Sequence, residues 1–205
     1  MLRRTLSAVS IGLLLGVSGC IPLPFLTPPV TVSIGGAARR GLPKSLEGDN
    51  SPVIMRLDAG VRPFQIMEDW TSRRADMGVG YAFEMGAGPT LHCAYAEGAI
   101  FPFVGDVGRM GVHLQPRVLF DANDGRPSFG ITTRITGELR SFVSKPFVDT
   151  SGKGGAIGYA HGEGGAALYL EGAYERVYDI PTMVIGLGIT FRIPAMIGVA
   201  FVPIY

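Results

Sequence analysis

The sequence predicts an all-β protein, an antiparallel up-and-down β-barrel of about eight strands, and three observations support this. Apolar and polar residues alternate with a period of two in several segments, as in strands with two unlike faces. These segments are longer than the roughly 5 to 6 residues of a typical strand. Charged residues make up only 17% of the chain, and lysine occurs only at Lys44, Lys145 and Lys153. A soluble β-barrel or β-sandwich also alternates in this way and is the alternative.

The clearest alternation lies in residues 108–120. Met110 and Val112 fall on one face, while Arg109 and His113 fall on the other. The pattern is weaker in the first and third segments of the following set. The predicted strands are 53–61, 76–86, 91–102, 108–120, 128–141, 166–177, 182–192 and 195–205.

The connections between these strands differ in length. The long connections, 62–75 and 142–165, fall on the same side of the sheet, and the glycine-rich stretch 152–165 reads as a surface loop. Long loops on one side and short turns on the other are typical of transmembrane β-barrels, in which the polar faces point inward. The connection at 193–194 is very short, so the strand count around Pro194 stays open.

The domain organisation follows from composition. Prolines are frequent in residues 20–52, which we expect to form a linker with at most one short strand at 30–34. The barrel domain is expected over 53–205. Residues 1–19 have the layout of a signal peptide.

The polar faces of the predicted strands carry arginine and glutamate but no lysine. In a narrow barrel they would point into a lumen just wide enough to be filled by side chains, where charges must pair. We therefore expect a plugged lumen rather than a wide pore. The predicted lumen charge network consists of Glu84, Arg109, His113, Arg117, Arg134, Glu138, Arg140, Glu171, Glu175 and Arg192.

The N-terminal segment has its own signature. Arg3 and Arg4 precede the apolar run 11–17, and the tetrad Val17-Ser18-Gly19-Cys20 resembles the lipobox of bacterial lipoproteins. The resemblance implies cleavage before Cys20 and acylation of its sulfur and its amine. Two or more acyl chains anchor a protein stably. Ile21 stands where an inner-membrane retention signal has aspartate, which implies sorting to the outer membrane.

The C-terminal stretch "MIGVAFVPIY" places Val199, Phe201 and Tyr205 on one face. It resembles the terminal strand that bacterial outer-membrane barrels present to their insertion machinery, although Pro203 departs from that pattern. Over about residues 53–205 the chain is thus similar to small outer-membrane β-barrel proteins. This resemblance implies outer-membrane lipid and the insertion and lipoprotein-sorting machineries as partners.

Other functional classes find little support. The formal net charge is +1 and there is no basic run, so nucleic acid is not an expected partner. His92, His113 and His161 lack the spacing of a metal site, and no cofactor is expected. We predict a non-enzymatic protein with a structural or envelope-interaction role.

Two alternatives remain open. The first is a lipid-tethered soluble periplasmic β-domain that binds an apolar ligand or a partner protein. The second is a barrel-embedded acyl hydrolase, for which Ser128 or Ser141 with His113 and Glu138 supply the required residue types.

Overall fold

The computed structural model describes residues 20–41, 53–67, 74–86, 90–121, 127–150, 155–177 and 179–203. They form ten strands and one short 3-10 helix, Pro63–Ile66. Among the described residues, no helix has the length and apolarity needed to span a membrane. The strands are β1 (Cys20–Thr27), β2 (Val30–Gly41), β3 (Val53–Val61), β4 (Ala75–Gly86), β5 (Leu91–Val104), β6 (Gly108–Asp121), β7 (Pro127–Asp149), β8 (Gly155–Val177), β9 (Ile180–Ile193) and β10 (Ala195–Pro203).

Eight of these strands, β2 to β9, form a closed ring. Each neighbours the next in chain order, and β2 also pairs with β9 over its whole length, from Val30 opposite Ile193 to Gly41 opposite Thr182. The pairings β2–β3, β3–β4, β4–β5, β5–β6, β6–β7, β8–β9 and β2–β9 are antiparallel. The predicted antiparallel up-and-down barrel of about eight strands is therefore confirmed. Closure removes the exposed edges that an open sheet would present.

The chain divides into two compact units. The barrel unit comprises the described parts of 28–143 and 162–194, and it contains the ring. The sheet unit comprises the described parts of 1–27, 144–161 and 195–205. Within it, β1 pairs with β10, and β10 pairs with residues 155–161 of β8.

The prediction of a linker over residues 20–52 is wrong for two segments, because Cys20–Thr27 and Val30–Gly41 form strands. Strand β2 closes the ring between β3 and β9. Small residues such as Gly36 and Ala38 face outward, so the sequence of β2 lacks the clear alternation of apolar and polar residues by which a strand is predicted. Residues 42–52, like the predicted signal peptide 1–19, lie outside the described residues.

The C-terminal half differs from the prediction in two further ways. The segment expected to be a loop at 142–165 is largely strand, because β7 and β8 are each 23 residues long. Residues 195–203 form a strand as predicted, but β10 belongs to the sheet unit and β2 takes the eighth place in the ring. The barrel therefore begins at Val30 and not at residue 53.

Lumen-facing glycines make room for aromatic side chains that lie across the neighbouring strands. A Cβ added to Gly80 would collide with the Tyr95 ring and would lie 2.7 Å from the carbonyl oxygen of Ala59. The Tyr169 hydroxyl occupies the corresponding space at Gly35. This close approach gives several of the 30 glycines a packing role.

We name the two ends of the barrel by their residues. The proximal end is where β2 begins, at Val30, and where β9 ends, at Ile193. The distal end is where β2, β4, β6 and β8 end, at Gly41, Gly86, Asp121 and Val177, and where β3, β5, β7 and β9 begin.

Candidate functional site

The ring has an apolar outer surface and a charged interior. Outward side chains such as Met110, Ile185 and Leu187 are 50%, 63% and 67% exposed. Lumen side chains such as Arg56 and Glu84 are completely buried. This distribution is the reverse of that in a water-soluble protein, in which arginine and glutamate are almost never fully buried unless they are paired.

The structure places nine of the ten predicted network residues in the lumen. These are Glu84, Arg109, His113, Arg117, Arg134, Glu138, Glu171, Glu175 and Arg192, all buried. The tenth, Arg140, follows the same alternation on β7 but is only half-buried. It lies near the proximal end, where its Nη2 donates to the carbonyl oxygen of Gly105 at 3.5 Å.

Sequence reasoning missed a similar number of buried charges. They are Arg39, Arg56, Asp58, Arg62, Asp76, Glu97, Asp121 and Glu163. Arg39 lies in the expected linker and Glu163 in the expected loop, while Glu97 lies on a strand with apolar residues on both faces. Two features of the composition could have predicted them: lysine is scarce, and the numbers of arginines and carboxylates are nearly equal.

Arg56 is the centre of the network toward the distal end. Its Nε donates to Glu84 Oε1 at 2.7 Å, its Nη1 contacts Glu171, and its Nη2 lies 3.2 Å from Glu175 Oε1. Arg39 approaches the same carboxylates from β2 and lies 3.0 Å from Glu175 Oε2. Three buried carboxylates thus share two guanidinium groups.

Arg134 extends this cluster across the lumen. Its Nε donates to Glu171 Oε2 at 2.8 Å and its Nη2 donates to Asp58 Oδ2 at 2.6 Å. The guanidinium also lies over the ring of Tyr169, 4.4 Å from its centroid. A planar guanidinium suits this combination of forked hydrogen bonds and stacking, and lysine would not.

A second cluster lies toward the proximal end and is organised around His113. Its Nδ1 is 2.6 Å from Glu97 Oε1, and its Nε2 is 2.9 Å from the Thr136 hydroxyl and 3.4 Å from Glu138 Oε1. Two carboxylates therefore contact opposite sides of one imidazole, buried at 2% exposure.

Arginines surround these carboxylates in turn. Arg109 donates to Glu138 at 2.7 Å and to Glu163 at 2.6 Å. Arg192 donates to Glu138 at 2.7 Å, and Arg62 donates to Asp76 at 2.9 Å. Each buried arginine among the described residues lies within 3.4 Å of a carboxylate oxygen, so the interior charges compensate one another.

Gln115 joins the two clusters. Its side-chain amide donates to Glu97 Oε2 at 2.8 Å and accepts from Arg117 Nη2 at 2.6 Å. Arg117 in turn lies 3.4 Å from Glu84 Oε1 in the distal cluster. The lumen charges therefore form one continuous network.

Apolar side chains fill the lumen near the distal end. One group contains Leu91, Cys93 and Leu119, and another contains Ile54 and Val184. Among the charged groups, the cavity beside His113, Arg134 and Arg192 holds about 20 Å³. This volume suits roughly one water molecule. The described part of the lumen is packed like a protein core.

The residues considered for an acyl hydrolase do not come together. His113 stands opposite Arg134, whereas Ser128 stands opposite Leu119, several positions further along β6. Ser141 is exposed. In the sheet unit, Ser144 Oγ lies 3.1 Å from His161 Nδ1 and 2.8 Å from the Tyr159 hydroxyl.

The remaining predicted site residues lie at the chain ends. Cys20 is the first residue of β1, and Val199 and Phe201 lie on β10. Tyr205 falls outside the described residues. The lipid attachment and the insertion signal stay predictions.

The chain is similar to the crystal structure of Neisserial surface protein A (NspA), with a TM-score of 0.38 and 13% identity, covering 80% of this chain and 95% of that one. No protein-family model matches the sequence, and the search of curated proteins finds no match.

Proposed function

We propose that this chain is an outer-membrane lipoprotein whose plugged eight-stranded barrel has a structural or envelope-interaction role and no catalytic activity. The observation that carries the proposal is the reversed distribution of polarity around the ring. Apolar side chains on the outer face are exposed, while the charged side chains are buried in the lumen. Acyl chains would cover the apolar outer face without desolvating the charges that are buried in the lumen.

The sequence supplies the location. The tetrad ending in Cys20 supports lipid attachment, and Ile21 after it supports the outer membrane over the inner one. The strands of 12 to 14 residues, β2, β4, β5, β6 and β9, exceed the roughly 9 to 11 that a tilted strand needs to cross a bilayer.

Packing of the lumen supports a closed barrel over a channel or an apolar-ligand carrier. A carrier of the lipocalin type keeps an internal cavity that holds its ligand. Here the charged cavity of about 20 Å³ is too small for one. The proposed role therefore depends on surfaces of the barrel and not on its interior.

The test removes the lipid anchor. The Cys20→Ala variant is expressed behind a cleavable signal peptide, and membranes are washed with carbonate or urea. We expect the protein to stay in the outer-membrane fraction, since the strands themselves hold it there. Release into the wash or the periplasm would instead establish a soluble domain tethered only through Cys20.

A further inference from the structure

Three of the four strand segments of the sheet unit are uncharged on both faces, and the fourth, residues 144–149 of β7, carries the exposed residues Lys145 and Asp149. Strands β1 and β10 and residues 155–160 of β8 contain no charged side chain. The register places Leu23 opposite Ala200 on one face, and Leu26 opposite Ile197 on the other. Leu23, Leu26 and Ile197 are 49%, 75% and 59% exposed. A sheet in water normally has one polar face, so these three segments need an apolar environment on both sides.

The two edges of the sheet unit indicate whether this environment is another protein strand or lipid. The outer strands of the unit are β1 and the 144–149 part of β7, and they carry Pro22, Pro24 and Pro146. Proline has no N–H to donate, so Pro22 and Pro24 reduce the number of hydrogen-bond donors on the edge strand β1. These edges are poorly suited to pairing with a strand of another protein or a second copy.

The same prolines suit a lipid environment. Hydrocarbon cannot satisfy free backbone N–H groups, and each proline removes one from an edge. The carbonyl oxygens that remain at the edge still need water or headgroups. A position at the boundary between acyl chains and headgroups meets both requirements.

We propose that the sheet unit inserts into the acyl-chain boundary of the bilayer that carries the barrel, with lipid on both of its faces. The inference rests on the proposed function, because it assumes a membrane and an acylated Cys20 at the start of β1. The uncharged strands β1 and β10 match acyl chains, whereas Lys145 and Asp149 on the outer strand 144–149 need headgroups or water, as a position at this boundary provides. The lipid on Cys20 would hold the start of β1 at that depth.

The experiment reads depth at single positions. Acylation removes the Cys20 thiol and Cys93 is buried, so one introduced cysteine can be labelled with the fluorophore NBD in the folded protein. Leu23→Cys and Ile197→Cys report the two sheet faces. Leu187→Cys reports the barrel wall, and Val107→Cys reports an exposed turn. Each protein is reconstituted into phosphatidylcholine vesicles containing lipid with a doxyl quencher at carbon 5 or carbon 16.

We expect quenching of at least twofold by the shallow doxyl lipid at both sheet positions, stronger deep quenching at Leu187→Cys, and none at Val107→Cys. Quenching at Leu187→Cys alone, or on one sheet face only, would overturn the inference and leave the barrel proposal standing. A blue-shifted but unquenched signal at Leu23→Cys would mean a protein partner and would equally overturn it. Absence of quenching at Leu187→Cys would refute the membrane barrel itself.

Discussion

Arg56 illustrates what the lumen requires of a single residue. It is completely buried and contacts Glu84, Glu171 and Glu175 through different nitrogens. A guanidinium can serve several acceptors at once because its five N–H groups are fixed in one plane. The fold therefore uses arginine, and not lysine, as its internal cation.

Replacing Arg56 with methionine should destabilise the barrel strongly. The change keeps much of the volume but leaves three buried carboxylates short of a cation, which costs about 3–5 kcal/mol by analogy with other broken buried ion pairs. Urea unfolding of the reconstituted protein, followed by circular dichroism, measures the loss.

Arg176 provides the matched control. It pairs with Asp179 on the surface, where its side chain is 62% exposed. Arg176→Met should change stability by less than about 1 kcal/mol, since exposed pairs contribute little. Equal unfolding midpoints for the two variants would contradict the lumen network.

Two adjacent glycines allow a second test at the same scale. A Cβ at Gly35 would collide with Tyr169 and lie 2.7 Å from the Leu187 carbonyl oxygen, while a Cβ at Gly36 meets nothing within 4 Å. Gly35→Ala should destabilise by about 1–3 kcal/mol through overpacking. Gly36→Ala should be neutral or slightly stabilising, because alanine loses less backbone entropy on folding. Thermal unfolding of both variants decides, and the reverse order would disprove the aromatic packing.

At the scale of the elements, the strands show how alternating residues are placed in two environments, the buried lumen and the exposed outer face. Thr182, Val184, Thr190 and Arg192 of β9 are buried, while Met183, Ile185, Leu187 and Ile189 are exposed. Strand β5 keeps the same order as far as Phe101, which is buried with its ring 3.8 Å from the guanidinium carbon of Arg109. A bulge between Ile100 and Phe103 then shifts the register with β6. Local alternation thus assigns the faces of the strand up to the bulge.

Strand β9 also carries a prediction that separates lipid from water. Leu187 stands near the middle of the strand, opposite Gly36 and Leu170. Leu187→Arg should lower stability in vesicles by about 2–4 kcal/mol if this face lies at the centre of a bilayer. Folding titrations in urea with phosphatidylcholine vesicles measure it.

Val107→Arg is the control for that substitution. Val107 lies in the turn between β5 and β6 and is 66% exposed. An arginine there should be tolerated. If Leu187→Arg is tolerated equally well, the outer face lies in water, and the soluble-domain alternative gains the advantage.

At the scale of the whole molecule, two groups of side chains fill the lumen, one charged and one apolar. Charged side chains form a continuous network through Gln115, and apolar side chains such as Leu91 and Leu119 pack near the distal end. A wide channel needs an open aqueous path, which many more strands would provide. The described part of the lumen has no open path of that kind.

We therefore expect no steady ion conductance when the protein is inserted into planar lipid bilayers, with a general porin as the positive control. Cys93 supplies an independent reading, since it is fully buried in the lumen. In the Cys20→Ala variant its thiol should stay unreactive toward a small water-soluble methanethiosulfonate until the barrel unfolds. Stable current steps, or rapid labelling of the folded protein, would contradict the plugged lumen.

The sequence by itself determined which face of most strands is apolar and which side chains of β4, β6, β7, β9 and the second half of β8 share the polar face. These features depend on a period of two within one strand, so they are readable without knowing its neighbours. Tertiary structure alone decided that β2 completes the ring, that β10 lies outside it, and which carboxylate each arginine contacts. Those outcomes depend on pairing between residues far apart in the chain. In β2 and β8 many residues are small, so the two faces of each strand differ little in polarity, and the pattern does not predict which strands they pair with.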